Sequence, residues 1–320
     1  MRRDSTQRFP ASAATRLLLA ALTAVGIASA LALAAPFGWP WELFVHFRTQ
    51  YAVGALVVAV AFALTRHPRA CMVAVALATL NALPLLQHAQ ASAPAGSCAG
   101  REFAVVSANL QAGNDDRGFL DWLAGHPADF VVVQEVTEAW ARDLSRLADY
   151  PHRVLLPRED PYGIGVLSRW PLDAVRQEDL AADGLPSLSG RVEFEGRSLR
   201  WLALHTHWPI TPALARARDR SLDAAAGLVR ASDGPVVVLG DLNATPFAPA
   251  YAEFVRSSGL RDAAAATRWQ PTWMAGFWPL ALRIDYVFAS PGLCVESSAV
   301  GPAIGSDHRP VLAKLRFAVE

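Results

Sequence analysis

Eight polar residues of this 320-residue chain stand where chemistry is possible. Asn109 ends the run Phe103-Ala-Val-Val-Ser-Ala, and Glu135 follows Phe130-Val-Val-Val-Gln. His205 closes the run 201–204, and Asp241 and Asn243 follow 236–240. Asp285 lies within 284–288, and Asp307-His308 precedes 309–317. Carboxylates, amides and imidazoles at the ends of apolar runs are costly to desolvate unless they are paired or bind something. A hard divalent cation suits such oxygens, and Mg²⁺ in particular takes one or two carboxylates together with substrate phosphate. Histidine beside carboxylate adds a group that takes or gives a proton near neutral pH.

The runs that must position these residues are short, β-rich and bounded by Gly, Pro or charge: 103–107, 130–134, 165–168, 199–205, 236–240, 284–288 and 309–317. Helix-like segments lie between some of them, at 119–126, 137–148 and 213–231. Many strands with fewer helices predict an α/β sandwich, two packed sheets with helices outside. No internal repeat is present.

The ordered set Ser-Ala-Asn109, Gln-Glu135-Val, Gly-Ile-Gly-Val-Leu-Ser168, His205, Gly-Asp241-Leu-Asn243-Ala-Thr-Pro, Arg-Ile-Asp285-Tyr and Ser-Asp307-His308-Arg-Pro resembles the endonuclease/exonuclease/phosphatase superfamily, of deoxyribonuclease I type. One motif alone, such as Gly-Asp-Leu-Asn, is weak; the whole series in order across residues 102–317 is specific. The resemblance implies an α/β fold, a four-layer sandwich of two mixed sheets flanked by helices, over 102–320. It also implies roles. Glu135 would be the main metal carboxylate, with Asn109 beside it and Asp307 nearby, holding Mg²⁺ or Mn²⁺ to neutralise phosphate charge. His308 would act as general base, or stabilise phosphoryl oxygens if protonated, with Asp285 on its other nitrogen. Asp241 would orient or deprotonate the attacking water, Asn243 would donate to a phosphoryl oxygen, and His205 would assist the leaving group. Tyr162 matches more loosely as a phosphate contact.

The same residues have plainer readings. Asn109 suits a strand-end cap, and Asp285 suits a structural ion pair. His207 shares a face with His205, so either or both of them point to the site. Arg216 and Arg220 share a helix face at i,i+4 that reads as solvated. The aromatic segment 269–278, which includes Trp273, suits core, a substrate wall or a loop resting on a membrane. Pro246-Phe-Ala-Pro249 reads as a turn.

The remaining signals concern location. The chain is 52% hydrophobic and 18% charged, with a mean hydropathy of +0.22, and the apolar excess lies at the front. Stretches 17–35, 49–65 and 70–86 are uncharged, and a crossing helix needs about 20 apolar residues, roughly 17–25. Residues 1–90 thus read as a membrane region of about three helices, and 91–101 as a linker. A cleaved signal peptide is the rival for the first stretch. Four Arg precede it, two flank the 66–69 turn and one lies in 36–48, which places the N-terminus inside and residues 97–320 outside the cytoplasm. This describes a membrane-anchored bacterial member of the superfamily, in the inner membrane with a periplasmic catalytic domain. An oxidising compartment would let Cys98 and Cys294 pair, and their spacing leaves open whether they meet.

Residues 97–320 hold 22 basic and 27 acidic residues, about −5, which excludes binding nucleic acid by bulk charge. The expected partner is a phosphate-ester substrate, either nucleic acid (an extracytoplasmic nuclease) or a lipid headgroup (a phospholipase- or sphingomyelinase-like enzyme, or a phosphatase). A non-catalytic membrane receptor is disfavoured because every expected catalytic position is filled. Nothing points to a protein partner.

Overall fold

The computed structural model describes residues 13–90, 98–264 and 270–319. Among them, β1 (Cys98–Asn109), β2 (Phe130–Gln134), β3 (His152–Leu156), β4 (Ile164–Ser168), β11 (Leu293–Val300) and β12 (Val311–Ala318) form one sheet, in the order β11-β12-β1-β2-β4-β3. A second sheet runs β5-β6-β7-β8-β10-β9. Its members are β5 (Leu172–Asp179), β6 (Pro186–Phe194), β7 (Arg197–His205), β8 (Val236–Asp241), β9 (Arg261–Asp262) and β10 (Asp285–Ala289). Each sheet holds one parallel pair, β1 with β2 and β7 with β8, and its other pairs are antiparallel.

Apolar alternation explains the stacking. Phe130 and Val132 of β2 face Trp201, Val237 and Val287 of the opposite sheet. Val131 and Val133 face outward onto Phe119 of α5 (Gly118–Gly125) and Trp140 and Leu144 of α6 (Glu138–Ser145). β8 divides in the same way: Val237 and Leu239 point inward, while Val236 and Val238 lie under α7 (Pro212–Arg230) and α8 (Pro249–Ser258). Strands covered on both faces read as continuous apolar runs. The outcome is the four-layer α/β sandwich expected. α7 starts where Thr211 accepts the Leu214 N–H at 3.2 Å and Pro212 presets the first turn. Its Leu222, Ala225, Ala226 and Val229 form the buried stripe.

Elements that sequence patterning missed are mostly at edges. β5 and β11 carry bulges, between Asp173 and Arg176 and between Val295 and Ser297, which break the two-residue period. The turn at 246–249 leads into an unexpected helix, α8, begun by Pro249 and ended by left-handed Gly259 (φ 69°). β1 begins at Cys98, inside the stretch expected as a linker, because Cys98 pairs with Ala318. Cys98 is joined to Cys294 by a disulfide, with Cα atoms 6.1 Å apart. The rest of that linker up to residue 97, and Trp269, lie outside the described residues.

At the front, α1 (Ala13–Leu33) is long and apolar enough to cross a membrane, and Arg48–Leu64 and Pro68–Pro84 are shorter apolar helices. Arg48–Leu64 is α3 and the last is part of α4 (Pro68–Gln90), with a single turn of helix, α2 (Glu42–Val45), before them. The buried Asn81 links two helices, its Nδ2 donating to Ser29 Oγ at 2.8 Å. Leu17, Leu56, Val57 and Met72 point outward and are more than half exposed.

Candidate active site

The two parallel pairs end on one edge of the sandwich. Asn109 lies beside Gln134 at the ends of β1 and β2, His205 beside Asp241 at the ends of β7 and β8, and Asp285 opposite Asp241. Glycine makes this edge possible. A Cβ on Gly240 would sit 1.9 Å from Leu204 O, and one on Gly163 would sit 1.9 Å from Val136 O. Glu135 and Asn243 have left-handed backbones, φ 58° and 45°, a strained state that persists only where its surroundings over-determine it. The hydrogen bonds Leu110 N–H to Gln134 O and Val136 N–H to Gly163 O, each 3.0 Å, bracket Glu135.

Glu135 receives Asn109 Nδ2 at 3.0 Å on one oxygen and the Ala112 N–H at 2.8 Å on the other. Asn109 Nδ2 also lies 3.3 Å from Asp241 Oδ2, so this amide joins the two halves of the site. His308 Nδ1 is 2.9 Å from Asp285 Oδ2, and its Nε2 is 3.9 Å from Asp241 Oδ2. Asp285 is itself held by its backbone N–H, which donates to Thr272 Oγ1 at 3.1 Å. Ser306 Oγ donates to Asn109 O at 2.9 Å and accepts the His308 N–H at 3.0 Å, pinning the 306–308 loop to the end of β1. Asp307 accepts from Trp273 Nε1 at 2.9 Å. Asn243 donates its N–H to Asp241 Oδ1 and its amide to Thr206 O, both at 2.8 Å.

Burial sets the electrostatics. It raises Glu135, an effect only partly offset by the Ala112 and Asn109 hydrogen bonds. Burial, reinforced by Asp285, pushes Asp241 up to about 8. Burial alone would lower His308, but Asp285 beside it, with Asp241 and Asp307, outweighs this and holds it at about 10. Asp285 thus favours the protonated form of His308. No Lys or Arg pairs with Glu135 among the described residues. A buried carboxylate of this kind suits a hard cation.

Two groupings could hold such an ion. Glu135 and Asp307 offer carboxylate oxygens, with Asn109 beside them, its Nδ2 on Glu135 and its Oδ1 accepting the Gln111 N–H. Asp241, Asp285 and His308 bring their ligand atoms within 4.8 Å of one another. In the second grouping His308 Nδ1 pairs with Asp285 Oδ2, while Asp285 Oδ1 is buried without a hydrogen-bond partner.

Glu135, Asn243, Trp273, Asp307 and His308 line a cavity of about 540 Å³, within the range of ligand sites. His205 does not line it. The ring is enclosed, with Nε2 3.8 Å from Asp241 Oδ2 and no hydrogen bond at either nitrogen. Burial, with His308 and His207 nearby, lowers it to about 3. His207 instead has partners, Tyr162 OH at 3.1 Å and Asp183 at 3.0 Å. Tyr162 stacks obliquely on His205 at 5.3 Å. Thr272 and Gln111, which accepts the Asp307 N–H at 3.1 Å, were invisible in sequence because they reach the site through hydrogen bonds between segments apart in the chain. Arg216 and Arg220 are solvated as expected, but Arg218 between them is buried against Glu42 at 2.8 Å.

The cavity's far wall is a surprise: Leu43, His46 and Phe47, from the connection between α1 and α3, line it. His46 Nδ1 is 3.0 Å from Thr245 Oγ1 and 3.4 Å from the Thr245 N–H. That motif residue lies in the loop after Asp241. The sequence pattern assigns this region to the membrane alone.

Known proteins share this architecture. Endonuclease/exonuclease/phosphatase from Beutenbergia cavernae has a similar structure, with 22% identity, 68% of this chain and 72% of that chain covered, and a TM-score of 0.56. D. rerio TDP2 complexed with single strand DNA product is 17% identical over 68% of this chain and 100% of that one, TM-score 0.56. Sphingomyelinase C from Streptomyces griseocarneus is 19% identical over 67% and 99%, TM-score 0.50. At these identities the likeness shows the fold. No curated protein matches the chain in sequence. The model of the Endonuclease/Exonuclease/phosphatase family matches residues 106–308, a span holding all eight polar residues, and the chain belongs to that family.

Proposed function

We propose that this chain is a membrane-tethered, metal-dependent phosphodiesterase. The observation that carries the reading is the convergence, on one cavity, of an Asp285-paired His308 and a buried Glu135 that no Lys or Arg pairs with among the described residues. Glu135, Asn109 and Asp307 would hold Mg²⁺ or Mn²⁺, which supplies charge neutralisation at the phosphate. His308, charged and fixed by Asp285, steadies a phosphoryl oxygen and can return a proton to the leaving group. Asp241, 3.9 Å from His308 Nε2, orients the attacking water. Asn243, which lines the cavity, bounds the phosphate, and the enclosed His205 packs behind Asp241.

The tether is residues 1–90 read as three crossings, supported by the apolar outward faces of α1, α3 and α4. The Arg distribution and the Cys98–Cys294 bond support an extracytoplasmic catalytic domain in the inner membrane. A nuclease is the second reading. It is favoured by the TDP2 structure with single strand DNA product, and opposed by a cavity without Lys or Arg among its described lining residues.

The test uses the full chain in amphipol with bis(p-nitrophenyl) phosphate. Turnover should need Mg²⁺ or Mn²⁺, stop with EDTA, and disappear in Glu135→Gln and His308→Ala. Metal-independent turnover, or full activity in either variant, refutes the proposal.

A further inference from the structure

The α1–α3 connection is part of the active site. Leu43 and Phe47 share the cavity with Glu135 and His308, and Trp208, Ile210 and Leu282 extend the same apolar wall. The connection is not loosely draped. Glu42 is buried in its ion pair with Arg218, Ala35 and Val45 join the core beneath the second sheet, and Gln50 Nε2 donates to Ala281 O at 2.8 Å. Connectivity then fixes depth. Residues 34–47 join the end of one apolar helix to the start of the next, so if those helices cross a bilayer, this wall lies at its surface. The exposed side chains nearby agree: Ile210 is 60% exposed and Phe277 54%, and Trp278 stands by the start of α3, its carbonyl 3.5 Å from Gln50 Nε2. Aromatic and apolar side chains at that level belong to an interface.

The chemistry of the wall selects the substrate. One side of the cavity handles a phosphate; the other is apolar, and no Lys or Arg lines it among the described residues. A polyanionic strand needs cationic contacts along its length. A single phosphodiester bonded to a hydrocarbon chain needs none, and would bury its chain on this wall. His46 adds a polar contact between the two. Its Nδ1 lies 3.0 Å from Thr245 Oγ1, which holds the ring against the loop that follows Asp241.

We propose, on the reading of the site as a phosphodiesterase, that its substrate is a lipid phosphodiester at the membrane surface, with the hydrocarbon seated against Leu43, Phe47 and Ile210. Hydrolysis adds water across one P–O ester bond. The oxygen joins phosphorus as a phosphomonoester, and the departing alkoxide takes a proton to become the alcohol.

The test uses a homologous series, alkyl p-nitrophenyl phosphates from methyl to octyl below their micelle concentrations, with the full chain in amphipol. Burial of each added methylene should raise kcat/KM by about two- to fourfold until the wall is covered. Leu43→Ser and Ile210→Ser, one on each side of the wall, should flatten that slope, lowering the octyl-to-methyl ratio at least tenfold. Ile210 is exposed enough that its variant should fold. A flat series, a slope untouched by both variants, or faster cleavage of single-stranded DNA than of the octyl ester would overturn the assignment while leaving a phosphodiesterase. Silence on every ester, methyl included, would sink the phosphodiesterase reading and this inference with it.

Discussion

His46 reports whether the N-terminal helices are docked on the catalytic domain. Burial, with Arg218 nearby, lowers its folded value from 6.5 to about 3. Arg218 is in turn paired with Glu42, and Thr245 is the neutral partner on the other side. The sign follows from linkage. Below 6.5 the unfolded chain takes up a proton that the folded chain refuses, so stability is full above that value and falls as pH drops toward 3. Between about pH 7.5 and pH 5.0 this one residue should remove about 2 kcal/mol. In a chain of this size that is a shift in Tm on the order of 4 °C. The control is His46→Asn, whose side-chain oxygen can accept the Thr245 N–H as Nδ1 does, but cannot titrate. Thermal unfolding of both proteins in amphipol, followed by tryptophan fluorescence at the two pH values, isolates the effect. Other histidines titrate in both proteins and cancel in the difference. The wild type should lose about 2 kcal/mol more than the variant across the interval. Equal pH slopes would mean that His46 is solvated and that the helices do not pack against the 245 loop, which would remove the far wall of the cavity.

Two further outcomes are expected. Asp285→Asn leaves His308 without its counter-charge, and kcat should drop by about 10²- to 10⁴-fold in steady-state assays, with a much smaller change in the Mg²⁺ midpoint; unchanged kcat would reduce Asp285 to a structural partner. The Cys98–Cys294 bond closes a loop of 196 residues, so Cys98→Ser should lower stability by up to about 5 kcal/mol in denaturant titrations. Identical midpoints with and without reductant in the wild type would show that the pair is not formed.

Legibility is uneven along the chain. Patterning suffices for the sandwich, because strands such as Phe130–Gln134 and Val236–Asp241 are apolar on both faces and end in polar residues that nothing in a core would tolerate unpaired. The same contrast marks Asn109, Glu135, Asp241, Asp285 and His308 by residue type and position alone. Edge strands β5 and β11 escape because bulges disturb their alternation. The balance between His205 and His207 is not written locally either. Both lie near the strand end, and only packing encloses the first and gives the second its Tyr162 and Asp183 partners. The far wall is the least legible of all. Leu43 and Phe47 look like membrane residues in sequence, and nothing local says that Glu42 will find Arg218, 176 positions away, and carry them into the cavity. Local chemistry is written in residue types and spacing; contacts between distant segments depend on how two finished surfaces fit, and only the folded chain holds that information.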